Sequence, residues 1–279
     1  LTWTLGAAVD VNTNVTLAVG TGTLDGDQAV TASAGEITHG GGTIKEFSLT
    51  VSGGTYTGTG SGTLTLSEAL SMDSGSMDLG NKTVSAATMS VTGGDLALGT
   101  SDVTLSGSET NGTNEINTAG TISDGGSTLR LSGDHSTLTL DNDQPIGALV
   151  VNATGVSLIT NSGAQEDVNT LEVTSGNDVT MSGGTLTSAS TSTFDGSFIA
   201  TDTAALTSGG AMTVNGTGSV SVANGNLTVN AGGLTVNGTG SVSVEDGDLT
   251  VSAGGLTISA AGGTVESTGT GRILITGAT

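Results

Sequence analysis

Residues 212–233, MTVNGTGSVSVANGNLTVNAGG, and residues 234–255, LTVNGTGSVSVEDGDLTVSAGG, agree at 17 of 22 positions without a gap. The five differences are mild: Met212 for Leu234, Ala223 for Glu245, Asn224 for Asp246, Asn226 for Asp248 and Asn230 for Ser252. A period of this length marks an array of one small unit that cannot bury its apolar side alone. Within each block, four-residue runs alternate Val, Leu or Met with Thr, Ser or Asn, as in Ser219-Val220-Ser221-Val222 and Leu227-Thr228-Val229-Asn230. Period-two alternation reads as a half-buried strand, because successive side chains point to opposite faces. Gly216-Thr217-Gly218, Asn224-Gly225 and Ala231-Gly232-Gly233 separate the runs. Glycine and asparagine tolerate the positive φ that tight corners require.

Strands therefore begin every seven or eight residues, three to a repeat. Three short strands and three corners make one turn of a coil, and coil stacked on coil lays each strand parallel to its copy about 4.8 Å away. The fold expected is all-β, a right-handed parallel β-helix (β-solenoid) of about three strands and 21–22 residues per coil. Residues 1–279 would form one continuous solenoid, with irregular or loop-bearing coils around 106–126 and 182–210 and the most regular repeats at 212–255. At this repeat length the chain holds roughly 13 coils, a rod on the order of 60 Å long.

The same beat runs through Leu70, Met77, Val84, Val91, Leu98 and Leu105, spaced by seven. A seven-residue apolar period also suits a coiled coil. However, Gly75, Gly80, Gly93, Gly94 and Gly99 punctuate this run, each costing a helix interior about 1 kcal/mol. Strand plus corner explains the spacing and a helix does not. Strand character begins at the first residues, with Leu1, Trp3 and Leu5 on one side, and ends on Ile273-Leu274-Ile275. The segment from Ile44 to Val51 reads as one strand. The stretch from Ile146 to Ile159, the most hydrophobic in the chain, reads as core.

Glycine occupies 48 of 279 positions, far above the roughly 7% of average usage. The net charge is −22, from 26 acidic residues against Lys45, Lys82, Arg130 and Arg272. No basic stripe exists to neutralise phosphates, so nucleic acid is not an expected partner, and an anionic membrane surface would repel the chain. Cysteine is absent and no apolar run is long enough to cross a bilayer as a helix. The sequence opens on Leu1 with no initiator Met, basic n-region or signal-like apolar run, and is expected to be a processed or excised piece of a longer precursor. An acidic surface rich in Thr, Ser, Gly and Asn suits an extracellular or cell-surface setting.

With Gly62-Thr63-Leu64-Thr65-Leu66, Gly147-Ala148-Leu149-Val150-Val151-Asn152 and the Asn-Gly-Asn-Leu-Thr-Val of residues 224–229, the chain resembles the repetitive β-solenoid surface proteins of bacteria. These are the filamentous-haemagglutinin-like adhesins and autotransporter passenger repeats. The resemblance implies a shaft extending from a cell surface, with binding determinants carried on insertions.

Some β-helices cleave acidic polysaccharides, a chemistry that needs clustered carboxylates and a base or a cation to handle a uronate. Asp141-Asn142-Asp143 and Glu166-Asp167 are the densest carboxylate groups, and neither has a basic neighbour in sequence. His135 beside Asp134 lacks any nucleophile context. No catalytic residues are assigned and no enzyme is expected. Calcium is the one ion expected as a candidate. Asp25 and Asp27, Asp141 and Asp143, and Asp246 and Asp248 place oxygen ligands close together in turns, the donors that hard cations take. None of these matches a calcium-roll nonapeptide or a complete EF-hand loop. Asn-x-Thr sequons occur at Asn14, Asn81, Asn111, Asn152, Asn215, Asn226 and Asn237, as a Thr-rich chain produces by chance. Thr-x-Thr pairs such as Thr55/Thr57, Thr63/Thr65 and Thr185/Thr187 do not recur at the coil period, which makes them structural threonines rather than an ice-binding face.

The function expected is mechanical. A non-catalytic subunit would self-assemble end to end into a filament or sheath through Leu1, Trp3, Leu5, Ile273, Leu274 and Ile275. The alternatives are a shaft fragment of a giant adhesin, and a polysaccharide-binding or polysaccharide-degrading β-helix with a glycan partner.

Overall fold

The structure is a computed structural model that describes residues 1–108, 113–116, 121–140, 146–160, 165–259 and 262–276, with backbone alone for residues 165 and 166. Among the described residues every regular element is a β-strand. The chain divides into two compact units, formed essentially by residues 1–139 and 148–279. Each is a parallel β-solenoid, and together they hold about 12 turns of about 21 residues, three strands to a turn.

In the first unit, one face carries Thr2–Thr4, Thr23–Asp25, Thr43–Glu46, Thr63–Leu66, Thr83–Ala86, Asp102–Leu105 and Thr128–Leu131 in parallel order. Two further faces are built the same way, and Ser48–Gly58 and Ala69–Asp78 each run across both of them. Register is set by the alternation. One inner column runs Leu24, Ile44, Leu64, Val84, Val103 and Leu129, each at most 3% exposed. The seven-residue beat is thereby explained. Leu70, Met77, Val84, Val91, Leu98 and Leu105 step from face to face around the coil, all buried.

In the second unit, the blocks at 212–233 and 234–255 lie one coil apart in register, with Met212 on Leu234, Val214 on Val236, Val220 on Val242 and Leu227 on Leu249. Across 182–210 the strands Thr185–Ser188, Ser192–Phe194, Ser197–Thr201 and Ala205–Ser208 pair in the same manner. Phe194 and Phe198 fill this part of the interior edge to face, with ring centroids 5.6 Å apart. Each buried side chain of Val, Leu or Phe size contributes about 1.5–3 kcal/mol.

Sequence and structure differ between Ile44 and Val51. The run breaks at Phe47, which is 44% exposed on a corner, so Ile44 and Glu46 point inward on one face and Leu49 and Val51 on the next. In the segment from Ile146 to Ile159, Ile146, Leu149, Val151, Val156 and Leu158 are buried, whereas Ile159 stands on the outside. The Thr-x-Thr pairs do not repeat coil upon coil: Thr63 and Thr65 neighbour Thr43 and Lys45 on one side and Thr83 and Ser85 on the other. Single threonines do form columns, including Thr187, Thr207, Thr228 and Thr250.

Candidate functional site

Alternation assigns the inner positions of each strand to apolar side chains, and the places where an ionisable group occupies one are the chemically informative ones. In Thr43–Glu46, Ile44 and Glu46 share the inner side, and Glu46 stands in register with Leu66 of the following coil. The Glu46 side chain is buried. Its Oε2 accepts a hydrogen bond from the Gln28 N–H at 2.9 Å, and its Oε1 has no partner. Burial pushes its carboxyl above the usual range against the pull of that bond, and the charges of Asp25 and Asp27 add to the rise.

Beside Glu46 opens a cavity of about 310 Å³ lined by Asp25, Asp27, Lys45, Glu46, Thr65 and Ser67. Asp25 and Lys45 are register partners on the outer side of adjacent coils, and Lys45 Nζ lies 3.5 Å from Asp25 Oδ1. With the two side chains 41% and 62% exposed, this pair adds little stability. Asp27 sits in the corner at a φ of 50°, where its Oδ1 accepts from the Ser67 hydroxyl at 3.0 Å.

A second ionisable group lies in the interior. In Glu36–His39, Ile37 and His39 share the inner side, and His39 is buried. His39 Nε2 is 3.0 Å from the Gly42 carbonyl oxygen, which can only accept, so that nitrogen carries the hydrogen. His39 Nδ1 then accepts from the Tyr56 hydroxyl at 2.7 Å. Burial holds His39 below its ordinary pKa and pushes the Tyr56 phenol up. Nearby, Lys82 donates from Nζ to the carbonyls of Thr59, at 2.9 Å, and Gly60. Burial lowers the Lys82 pKa while the charge of Asp78 opposes that shift. These contacts close polar groups away from solvent and tie neighbouring coils together.

The other acidic turns are used within the solenoid. Asp248 accepts from Arg272 at 2.8 Å, which holds its carboxyl below the ordinary range. Asp246 Oδ1 accepts the Thr270 N–H at 3.2 Å. Asp141 and Asp143 lie outside the described residues, as does the side chain of Glu166. His135 is exposed on a corner with a φ of 58°. Two sequon asparagines form a ladder instead: Asn237 Nδ2 donates to Asn215 Oδ1 and Asn215 Nδ2 to Asp195 Oδ1, each at 2.9 Å. Among the described residues no three His, Cys, Asp or Glu side chains are grouped so as to hold a metal ion, and no helix is long and apolar enough to cross a membrane.

The residues expected to mediate assembly lie on the outermost coils. Trp3 pairs in register with Leu24 and Ile273 with Leu249, so both continue inner columns, yet they are 47% and 41% exposed. Leu1, Ile258 and Ile275 are likewise exposed, whereas Leu5 is partly covered. Leu274 differs, because it continues the outer column of Thr250.

Period-two reading alone would have pointed to Glu46 and His39, since each stands two residues after an inner isoleucine. Lys82 lies in a corner between strands, where alternation gives no signal. In comparisons with protein-family models, curated proteins and solved structures, the chain matches none of them.

Proposed function

We propose that this chain is a non-catalytic, extracellular structural protein, a subunit that stacks through its outermost coils into a filament or sheath. The observation that carries this reading is the exposure of Trp3, Ile258, Ile273 and Ile275. Each continues an inner column whose other members are buried, and each presents apolar surface together with a strand edge. Apolar patches of this kind mark contact sites, and solenoids keep unprotected edges covered by a capping unit. A second copy offers the matching surface, because the edge at Thr2–Thr4 and the edge at Ile273–Ile275 belong to parallel ladders of the same spacing. His39, Tyr56 and Lys82, held inside, are directed at backbone carbonyls and at each other, an arrangement that stiffens coils.

The shaft of a larger adhesin is the second reading, favoured by the same columns, which covalently continuing coils would cover equally well. Negative-stain electron microscopy of the purified 279-residue chain separates the two. Unbranched fibres that disappear in an Ile273→Lys/Ile275→Lys variant support stacking. Discrete particles for both proteins leave the shaft as the surviving reading.

A further inference from the structure

We infer that the cavity at the corner of Thr23–Asp25 and Thr43–Glu46 is a calcium site whose direct protein ligands are Glu46 and Asp27, completed by the hydroxyls of Ser67 and Thr65 and by water. The argument begins with an oxygen that has nothing to bind. Glu46 is only 2% exposed, and its Oε1 has no hydrogen-bond partner. A buried carboxylate oxygen left unpaired carries its full desolvation cost. The register partner of Glu46 in the next coil is Leu66, so a leucine is compatible with this position in the coil and a carboxylate is not needed for packing. A residue that breaks the local rule at such a cost marks a functional position.

The cavity that Glu46 helps to line fits the chemistry. Its lining offers carboxylates and hydroxyls and no nitrogen or sulfur other than the Lys45 ammonium. All-oxygen donors select hard cations, and calcium accepts six to eight of them in a flexible shell that includes water. Lys45 decides which carboxylates are available. Its Nζ stands 3.5 Å from Asp25 Oδ1, which partly neutralises Asp25 and leaves Glu46 and Asp27 as the free pair. Two carboxylates balance the charge of one divalent ion, and a volume of about 310 Å³ admits the ion with several waters. Asp27 is already oriented, because Ser67 donates to its Oδ1. The ion would join three consecutive coils, since Asp27 follows Thr23–Asp25, Glu46 ends Thr43–Glu46, and Ser67 follows Thr63–Leu66.

The test uses the whole chain, stripped of divalent ions with a chelator and studied at constant ionic strength to suppress diffuse binding to its acidic surface. Calorimetric titration with calcium chloride, and thermal unfolding with and without it, are read for four proteins: the parent, Glu46→Leu, Asp27→Asn and Asp202→Asn. Asp27 and Asp202 both have positive φ, a conformation asparagine accepts, so neither substitution should strain the backbone. The parent is expected to bind one calcium per chain. At a calcium concentration one hundred times Kd the folded state is then favoured about a hundredfold more than without the ion. Asp202→Asn, which removes the same charge elsewhere, keeps this response. Glu46→Leu loses it and unfolds at a higher temperature than the calcium-free parent, and Asp27→Asn weakens binding at least tenfold. Magnesium, which requires a near-ideal octahedron, binds more weakly than calcium. A parent that does not respond to calcium, or a Glu46→Leu protein that responds as the parent does, overturns the assignment and leaves Glu46 as a buried carboxyl held by the Gln28 N–H alone.

Discussion

Two glycines in one repeat should respond oppositely to the same added methyl group. A Cβ at Gly247 would stand 2.6 Å from the Gly225 carbonyl carbon, and closer still to that carbonyl oxygen. Ordinary contact begins near 3.4 Å, and the closer oxygen sets the displacement, so the coils must separate locally by well over 1 Å to admit an alanine. They are held at this corner by the Asp246 N–H on the Ala223 carbonyl at 2.8 Å and the Leu227 N–H on the Asp248 carbonyl at 3.0 Å. Separation of that size breaks both bonds, at about 0.5–1.5 kcal/mol each, and adds an overpacking cost of about 1–3 kcal/mol. Gly247→Ala should therefore lose about 3 kcal/mol, which for a unit of this size lowers Tm by roughly 6–12 °C. Gly255 has no atom within 4 Å of its notional Cβ and its φ lies outside the left-handed region. Gly255→Ala should gain about 0.4–1 kcal/mol by restricting the unfolded chain. Thermal unfolding followed by circular dichroism at equal concentrations measures the difference. Equal Tm shifts for the two variants would refute the claim that corner stacking, rather than glycine content as such, governs the position.

Phe198→Ala is expected to destabilise the second unit by about 3–5 kcal/mol, because the ring is fully buried against Phe194, and Phe198→Leu by clearly less; chemical denaturation reads both. The buried histidine predicts a pH dependence. Since burial holds the His39 pKa below its unfolded value, the unfolded chain takes up the proton first as pH falls. The stability this site contributes is complete above about pH 6.5 and declines from there toward the folded-state pKa. Tm followed from about pH 8 to 5 in a Glu46→Leu background, which removes the opposite effect of the raised Glu46 pKa, should fall in that window. The fall should vanish in His39→Leu/Tyr56→Phe.

Most of the architecture could be read from the chain because alternation and repeat length are local properties. The offset between residues 212–233 and 234–255 is the same offset that sets Met212 on Leu234 and Leu227 on Leu249. The interval of seven is the distance from one face to the next, which is why all six residues that carry it are buried. Corners were less legible. Phe47 looked like one more residue of a strand, since a turn without glycine or proline leaves no compositional mark. The acidic turns were visible as pairs along the sequence, but their partners come from other coils. Asp25 meets Lys45, Asp248 meets Arg272, and Glu46 and Asp27 line one cavity from adjacent coils. Sequence neighbourhood does not report contacts that a coil makes with the turn above it.

The register of the two near-identical blocks bears on how such a chain can change length. Residue n pairs with residue n + 22 through this region, and the residue types on either side of the boundary are nearly the same. Excising one block would place Phe194 beside Val236 where Val214 now stands, and Phe198 beside Val242 where Val220 stands, with a valine meeting each ring as before. Duplicating a block would insert one more storey with both of its floors already matched. Slippage between repeats in the gene would then pass through folded proteins at every step, and the number of turns could drift without any single coil having to be reinvented.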